Sequence, residues 1–329
     1  MRAILNELID HQALSNETAR EVLVELASGK YNQSQMSSFM TVYMMRNITV
    51  QELQGFRDAM LELCVRVKFE QPVMDVCGTG GDGKNTFNIS TLSSFVVAAA
   101  GQPVAKHGNY GVSSPCGSSN VLEYFGYQFT NNADELKRSM DRSNICFMHA
   151  PLFHPAMKNV APIRKELGVK TFFNMLGPMV NPALPKKQLV GVFNLELARQ
   201  YGYLYQQTDK DFVILHALDG YDEISLTGPF KYFDNGGEQM AEPGDLGLPM
   251  VKHHDLHGGE TVEESAKIFM KILEGHGTPQ QNAAVIANAG MALYAANQKA
   301  GLNNAVLKAI ETLESGKALI AFKKFLNKA

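Results

Sequence analysis

The densest run of chemistry-bearing residues is Asp75-Val76-Cys77-Gly78-Thr79-Gly80-Gly81-Asp82-Gly83-Lys84-Asn85-Thr86-Phe87-Asn88-Ile89-Ser90-Thr91. Glycines have no side chains, so a loop built on Gly78, Gly80, Gly81 and Gly83 can bring backbone N–H groups against phosphate oxygens. Asn88, Ser90 and Thr91 follow where a helix should begin, and a helix N-terminus adds partial positive charge. With Thr79, Asp82 and Thr86, these residues read as a pyrophosphate cradle. Three other readings fit less well. Gly78, Gly80 and Gly83 match GxGxxG, but a dinucleotide site wants an acid ending the second strand, and that strand ends in Lys106-His107. Gly78 to Lys84 imitates a P-loop, yet Asn85 stands where a magnesium-binding hydroxyl belongs. A plain structural turn leaves Asn88, Ser90 and Thr91 unexplained.

A second loop follows the next strand: Lys106-His107-Gly108-Asn109-Tyr110-Gly111-Val112-Ser113-Ser114, then Gly117 and Ser118. A lysine beside a histidine is usually surface decoration. Placed after the strand adjacent to the first loop, it faces the same crevice. Lys106 could then neutralise phosphate charge, Ser113, Ser114 and Ser118 could hold a terminal phosphate, and Asn109 could bind an amine or a carboxylate.

The pattern GTGGDGxxTFNIST, then KHGN, then Arg164 with Asn174-Met175-Leu176-Gly177-Pro178 and Asn181-Pro182, resembles the anthranilate phosphoribosyltransferases along essentially the whole chain. The second loop departs from the family at Tyr110, where arginine is frequent, and at Cys116, where lysine or serine is commoner nearby. The resemblance implies an α/β protein with a small all-helical domain beside a large α/β domain with a central, mostly parallel sheet. Residues 1–70, joined by roughly 160–183, would form the helical domain, and 71–329 the domain that binds the phosphoribosyl donor. It also implies an active site in the cleft and a homodimer formed through the helical domain. Pyrimidine nucleoside phosphorylases share this fold, so fold alone does not name the reaction. A noncatalytic binding protein derived from the fold is a further alternative, which the intact run from Gly78 to Thr91 opposes.

The implied reaction moves the phosphoribosyl group of 5-phosphoribosyl 1-diphosphate to the amine of anthranilate. Pyrophosphate leaves well only when its developing charge is neutralised, so magnesium is expected, with two ions accompanying the donor. Adjacent acids in a loop are usually just solvated. The family match singles out Asp222 and Glu223 as hard oxygen ligands, with Ser90 the ligand candidate on the first loop. Arg164 offers a planar fork for the anthranilate carboxylate, against the ordinary alternative of a surface or interdomain salt bridge. Gly78 and Asn109 complete the expected anthranilate set. Lys106 and His107 are the catalytic candidates, His107 either packing on the aromatic ring or helping to remove an amine proton. No covalent nucleophile is required. His149 and His154 bracket Pro151-Leu152-Phe153, but no further ligand cluster accompanies them, so a structural or substrate-side role is expected rather than a zinc pair.

The elements that must position these residues change character along the chain. Up to about Val67 only helices are legible. Leu14-Ser15-Asn16-Glu17 opens one, Gly29 is placed to stop it, and Thr49-Val50-Gln51-Glu52 is a capping-box pattern. Met36, Phe39, Met40, Tyr43 and Met44 recur at helical spacing, a stripe suited to a core or a subunit contact. From Pro72 short apolar runs alternate with glycine turns and helices, as in parallel α/β structure. Strands are expected at Val73–Cys77, Pro103–Ala105, Gln188–Phe193 and Asp211–His216, with a buried helix from Leu92 to Ala100 and helical segments beyond Thr261, Asn282 and Asn303. The stretch Pro162 to Pro185, dense in Gly, Pro and Asn, reads as a structured crossing between domains.

Composition bounds the partners. The 329 residues are 45% hydrophobic and 19% charged, which is enzyme-sized and globular. A formal net charge of -3 without a basic run gives no attraction for a nucleic-acid backbone. No segment is long and apolar enough to span a bilayer, and acids interrupt the N-terminus where a signal peptide needs an apolar stretch. Four scattered cysteines form no CxxC pair, so a cytoplasmic, reduced setting is expected.

Overall fold

The computed structural model describes residues 1–111 and 114–327. The chain forms two compact units, one from Met1–Val67 with Ala150–Pro182 and the other from Lys68–His149 with Ala183–Ala329.

In the first unit, Ser15 accepts the Thr18 amide at 3.1 Å and starts the helix Asn16–Ala27. Thr49 and Glu52 cap each other reciprocally at the start of the helix Val50–Leu63. Glu52 is wholly buried and does more than cap. It accepts the Leu14 amide at 3.0 Å and the Tyr43 hydroxyl at 2.9 Å, and it pairs with Arg46. Burial by itself would raise its pKa, but Arg46, Thr49, Leu14 and Tyr43 together hold the carboxyl below its usual range. Removing one partner of a buried, hydrogen-bonded ion pair typically costs about 3 to 5 kcal/mol. Glu52→Ala should therefore lower the urea midpoint of this unit substantially, and an unmoved midpoint would show that the carboxylate does not organise it.

Met36, Phe39, Met40 and Tyr43 lie on the helix Gln33–Met45 and point into the interior of this unit, so the stripe is core. Met44 and Met45 are its exposed members. The expected crossing at Pro162 to Pro185 is largely something else. It holds the helices Ala161–Leu167 and Phe173–Leu176 and the 3-10 turn Gly177–Val180. Between them, Phe172 stacks on Phe56 at 4.6 Å, which makes the stretch part of the helical core rather than a connection. Glycine and proline density marked its short turns and concealed its aromatic anchor.

His154 is buried in the same unit, and burial pushes its pKa down from 6.5 to about 4, opposed by a hydrogen bond with the Val180 backbone. The folded pKa is depressed, so between pH 6.5 and 4 the unfolded chain binds a proton that the folded chain does not. Stability contributed by the neutral ring is complete above that window and is lost as the pH falls through it, by at most roughly 3 kcal/mol. Urea midpoints of wild type and His154→Gln across this range check the expectation: the variant should show the shallower slope.

The second unit is built on a seven-stranded sheet in the order β3-β2-β1-β4-β5-β6-β7. Its strands are β1 (Met74–Gly78), β2 (Val104–Gly108), β3 (Ile145–His149), β4 (Lys187–Gly191), β5 (Asp211–Ala217), β6 (Phe230–Asp234) and β7 (Gly237–Ala241). The first five are parallel, and β6 and β7 add an antiparallel hairpin. The helix expected from Leu92 runs from Ile89 to Ala99 instead, with Asn88 at its N-cap position but making no side-chain cap bond. The strand order reverses between β1 and β4, and a ligand crevice forms where neighbouring strands lead away in opposite directions. Gly78 and Gly191 are paired at the carboxyl ends of these two strands.

Candidate active site

The glycine loop leaves β1 at Gly78 and runs to the helix Ile89–Ala99. Gly80, Gly81 and Gly83 have φ of 66°, 79° and 74°, and Asn85 is left-handed at 46°. Such a sequence of turns is open mainly to glycine and asparagine. The far side of the loop is strapped by Leu256 to Gly259: the Phe87 amide donates to the Leu256 carbonyl at 3.0 Å, the Gly258 amide to the Asn85 carbonyl at 2.8 Å, and Asn85 Nδ2 to the Gly259 carbonyl at 3.1 Å. Thr86 makes an isolated bridge with His257 in that strap. Lys84, the residue a P-loop would send to phosphate, lies 4.7 Å over the Tyr221 ring.

Asp222 and Glu223 are brought onto this loop. Asp222 Oδ2 accepts the Gly80 amide at 2.7 Å, and Glu223 Oε1 accepts the Ser90 amide at 3.2 Å, in the first turn of the helix. Close approach depends on two missing side chains. A Cβ at Gly78 would collide with the Asp222 carboxylate, and one at Gly191 with the Asp222 carbonyl, both inside the 3.0 Å that real Cβ atoms keep. Gly191 escaped notice in the sequence, where it is one glycine after an apolar run.

Asp82 is the third acid. Its Oδ1 accepts the Lys84 amide at 3.1 Å and its carboxyl meets that of Asp222, while the buried Thr79 hydroxyl has no hydrogen-bond partner. Burial, then the charges of Asp82 and Glu223, push the Asp222 carboxyl well up. Burial also raises Glu223, against the lowering influence of Lys106 and the Ser90 amide. Asp82, Asp222 and Glu223 offer carboxylate oxygens, the donor type that a hard divalent cation prefers. Among the described residues no group of three or more His, Cys, Asp or Glu side chains encloses a metal by itself.

Lys106 is turned inward. Its ammonium is buried and donates to the Val76 carbonyl at 2.6 Å, and desolvation lowers its pKa against the charges of Asp75, Cys77 and Glu223. From this position its charge acts on Glu223. His107 is buried, with its amide donating to Asp75 Oδ1 at 3.2 Å. Thr91 is buried too.

In the second loop Asn109 is exposed, and its Oδ1 accepts the Tyr110 amide at 2.8 Å. Ser118 donates to the Asn109 carbonyl at 3.3 Å, and Ser114 is half-buried. Ser113 lies outside the described residues. Asn120, unnoticed in the sequence, accepts the Gly111 and Gly117 amides at 2.9 and 3.0 Å and so closes the loop. Asn88 Nδ2 donates to the Cys116 carbonyl at 3.0 Å, which ties the first loop to the second. Tyr110, standing where the family often has arginine, reaches Glu123 at 3.2 Å and meets the His149 ring edge-on at 4.9 Å. His149 is committed to the Ser119 hydroxyl at 2.9 Å and stacks on Phe129, as a structural histidine does.

Arg164 belongs to the helical unit, on Ala161–Leu167. Its guanidinium donates to Asn174 Oδ1 at 3.3 Å and lies 5.2 Å over the Phe173 ring, and burial lowers its pKa. Among the described residues it makes no ion pair, so the salt-bridge alternative is not realised.

The sequence matches the glycosyl transferase family a/b domain over residues 70–319 and the helical bundle domain of that family over residues 2–64. An anthranilate phosphoribosyltransferase of Christiangramia forsetii is 57% identical over 325 residues, covering 98% of each chain. The crystal structure of the Thermus thermophilus anthranilate phosphoribosyltransferase superposes with a TM-score of 0.91 at 32% identity, covering 98% of each chain. The Saccharomyces cerevisiae enzyme, solved in complex with PRPP and Mg, superposes at 0.90 with 25% identity, covering 98% of this chain and 96% of its own. An acid-lined glycine cradle at the β1/β4 switch, carried on this two-unit fold and matched along the whole chain, shows that the chain belongs to the anthranilate phosphoribosyltransferase family of glycosyl transferases.

Proposed function

We propose that this chain transfers the phosphoribosyl group of 5-phosphoribosyl 1-diphosphate to the amine of anthranilate, releasing pyrophosphate, with magnesium as cofactor. The observation that carries the reading is the placement of Asp222 and Glu223, with Asp82 nearby, on a glycine loop whose Gly80 and Ser90 amides Asp222 and Glu223 occupy. Those amides are the donors a diphosphate would use, so acids and diphosphate compete for them unless a cation neutralises the acids. Donor and metal are therefore expected to enter together. Bound magnesium would supply charge neutralisation of the departing pyrophosphate. Asp82, Asp222, Glu223 and Ser90 would hold it, with two ions in the full complex.

The glycine-loop amides and the Ser90 hydroxyl orient the diphosphate, with Ser114 and Ser118 of the second loop available to the ribose 5-phosphate. Lys106 tempers the negative charge from beneath. The amine of anthranilate is already nucleophilic, so the residues need only hold it against the anomeric carbon and stabilise an oxocarbenium-like state. Asn109 and Arg164 are the proposed partners of anthranilate. His107 would steer the ring or take the amine proton. Arg164→Ala should weaken anthranilate binding by about 1.5 to 3 kcal/mol, the size of a charged hydrogen-bonded contact. An unchanged KM for anthranilate in steady-state assays would remove Arg164 from the site.

Anthranilate fluorescence followed with donor and magnesium tests the whole reading. Signal should fall only in the complete mixture and not with chelator. Phosphorolysis of thymidine or uridine without anthranilate turnover would favour the nucleoside phosphorylase instead. The reading includes a homodimer formed through the helical unit, whose exposed Ile9 and Met45 supply apolar surface. Sedimentation should give twice the 36.2 kDa chain mass. A cytoplasmic setting is in keeping with four free cysteines.

A further inference from the structure

The acidic doublet sits on a connection with no regular secondary structure, between β5 and β6, so something outside the doublet must set its place. Asn288 does this from the middle of the helix Pro279–Ala296. Its side chain is buried, with 1% exposure, and every polar atom of its carboxamide is used. Oδ1 accepts the Ile224 amide at 2.9 Å, and Nδ2 donates both to the Ile224 carbonyl at 2.9 Å and to the Ala284 carbonyl at 2.9 Å. The first two bonds grip both backbone groups of the residue next to Glu223, as a neighbouring strand would. The third locks the side chain to its own helix, one turn back. Only a carboxamide offers a donor and an acceptor side by side: a carboxylate would repel the Ile224 carbonyl, and an apolar side chain would leave two buried backbone groups without partners.

The helix that carries Asn288 is among the most buried in the protein. Ala283, Ala284, Ala287, Ala289 and Met291 around it are at most 5% exposed. Asn288 transmits the position of this buried helix to a segment whose other tethers are the Gly80 and Ser90 amides and the close approach to Gly191. We propose that Asn288 is a positioning residue for metal-assisted donor binding: it fixes the Ile224 peptide so that Asp222 and Glu223 are held at the spacing a magnesium diphosphate requires. This inference rests on the reading of Asp222 and Glu223 as the magnesium-holding acids.

The test uses the full chain, with magnesium chloride and inorganic pyrophosphate as the probe and calorimetric binding as the readout, alongside the magnesium dependence of anthranilate turnover. Asn288→Asp should weaken magnesium-dependent pyrophosphate binding at least about tenfold and raise the magnesium concentration for half-maximal rate. Asn288→Ser, which replaces the carboxamide by a short hydroxyl unable to reach both Ile224 backbone groups and adds no charge, serves if the aspartate does not fold and should shift both in the same direction. Val306→Ala is the control: Val306 packs on the same helix at Gly290, away from Ile224, so it should lower thermal stability and leave both magnesium readouts alone. Asn288 variants that lose stability as Val306→Ala does, with pyrophosphate affinity within twofold of wild type, would overturn the positioning role. Glu223→Gln separates the two layers. If it leaves magnesium dependence unchanged, the ligand reading fails and this inference with it; if it shifts magnesium dependence while the Asn288 variants do not, the positioning role alone fails.

Discussion

Gly191→Ala is expected to reduce kcat/KM by two to three orders of magnitude while leaving far-UV circular dichroism near wild type. The added methyl would sit inside the Asp222 carbonyl, a backbone atom that cannot rotate away as a side-chain tip can. Gly191 pairs with Gly78 and accepts the Thr79 amide at 2.9 Å, so β4 is equally unable to retreat. The segment carrying Asp222 and Glu223 must move instead, by an amount on the order of 1 Å, and misplacement of that size can cost about a hundredfold in rate. Loss of the Gly80 contact would add to this, since that bond also holds the glycine loop in its turn. The methyl adds little volume elsewhere, so the sheet should survive. Near-normal turnover in Gly191→Ala would mean that the close packing of Asp222 on β4 is incidental.

Glu223→Gln should move activity and stability in opposite directions. The substitution removes one negative charge from a buried group of three acids and keeps the shape. Magnesium-dependent turnover should drop by about 10² to 10³, the scale seen when a preorganised electrostatic contact is lost. Without ligands, the charge repulsion and burial that raise both acids are relieved. The apo protein should therefore be unchanged or more stable by roughly 1 kcal/mol, as charged functional sites often trade stability for activity. Lys106 loses a partner in the exchange, which limits the gain. Kinetics across a magnesium titration, paired with apo thermal denaturation, give the two signs independently. A variant that loses activity and stability together would indicate a structural carboxylate.

Much of the local geometry of the glycine loop was legible in order along the chain. Gly80, Gly81 and Gly83 marked its left-handed turns, and the polar residues after them marked the opening of a helix. The helix starts at Ser15 and Thr49 were legible for the same local reason: a cap is satisfied within three residues of itself. The hairpin of β6 and β7 was missed although Asn235-Gly236 between two short runs signalled it. β3 was missed because a five-residue run buried throughout carries no alternation to read.

What the sequence alone determined was whatever depends on neighbours in the chain: caps, left-handed turns, the apolar faces of helices and the family pattern of the two loops. What only the tertiary structure decided was every relation across long separations. It set Asp222 onto Gly80, 142 residues away, and Glu223 onto Ser90, 133 residues away. It turned Lys106 inward and gave two ordinary letters in the sequence their contacts, setting Gly191 against Asp222 and bringing Asn288 onto the Ile224 peptide. The physical reason is that a hydrogen bond or a steric limit is a property of two partners, and the chain order names only one of them at a time.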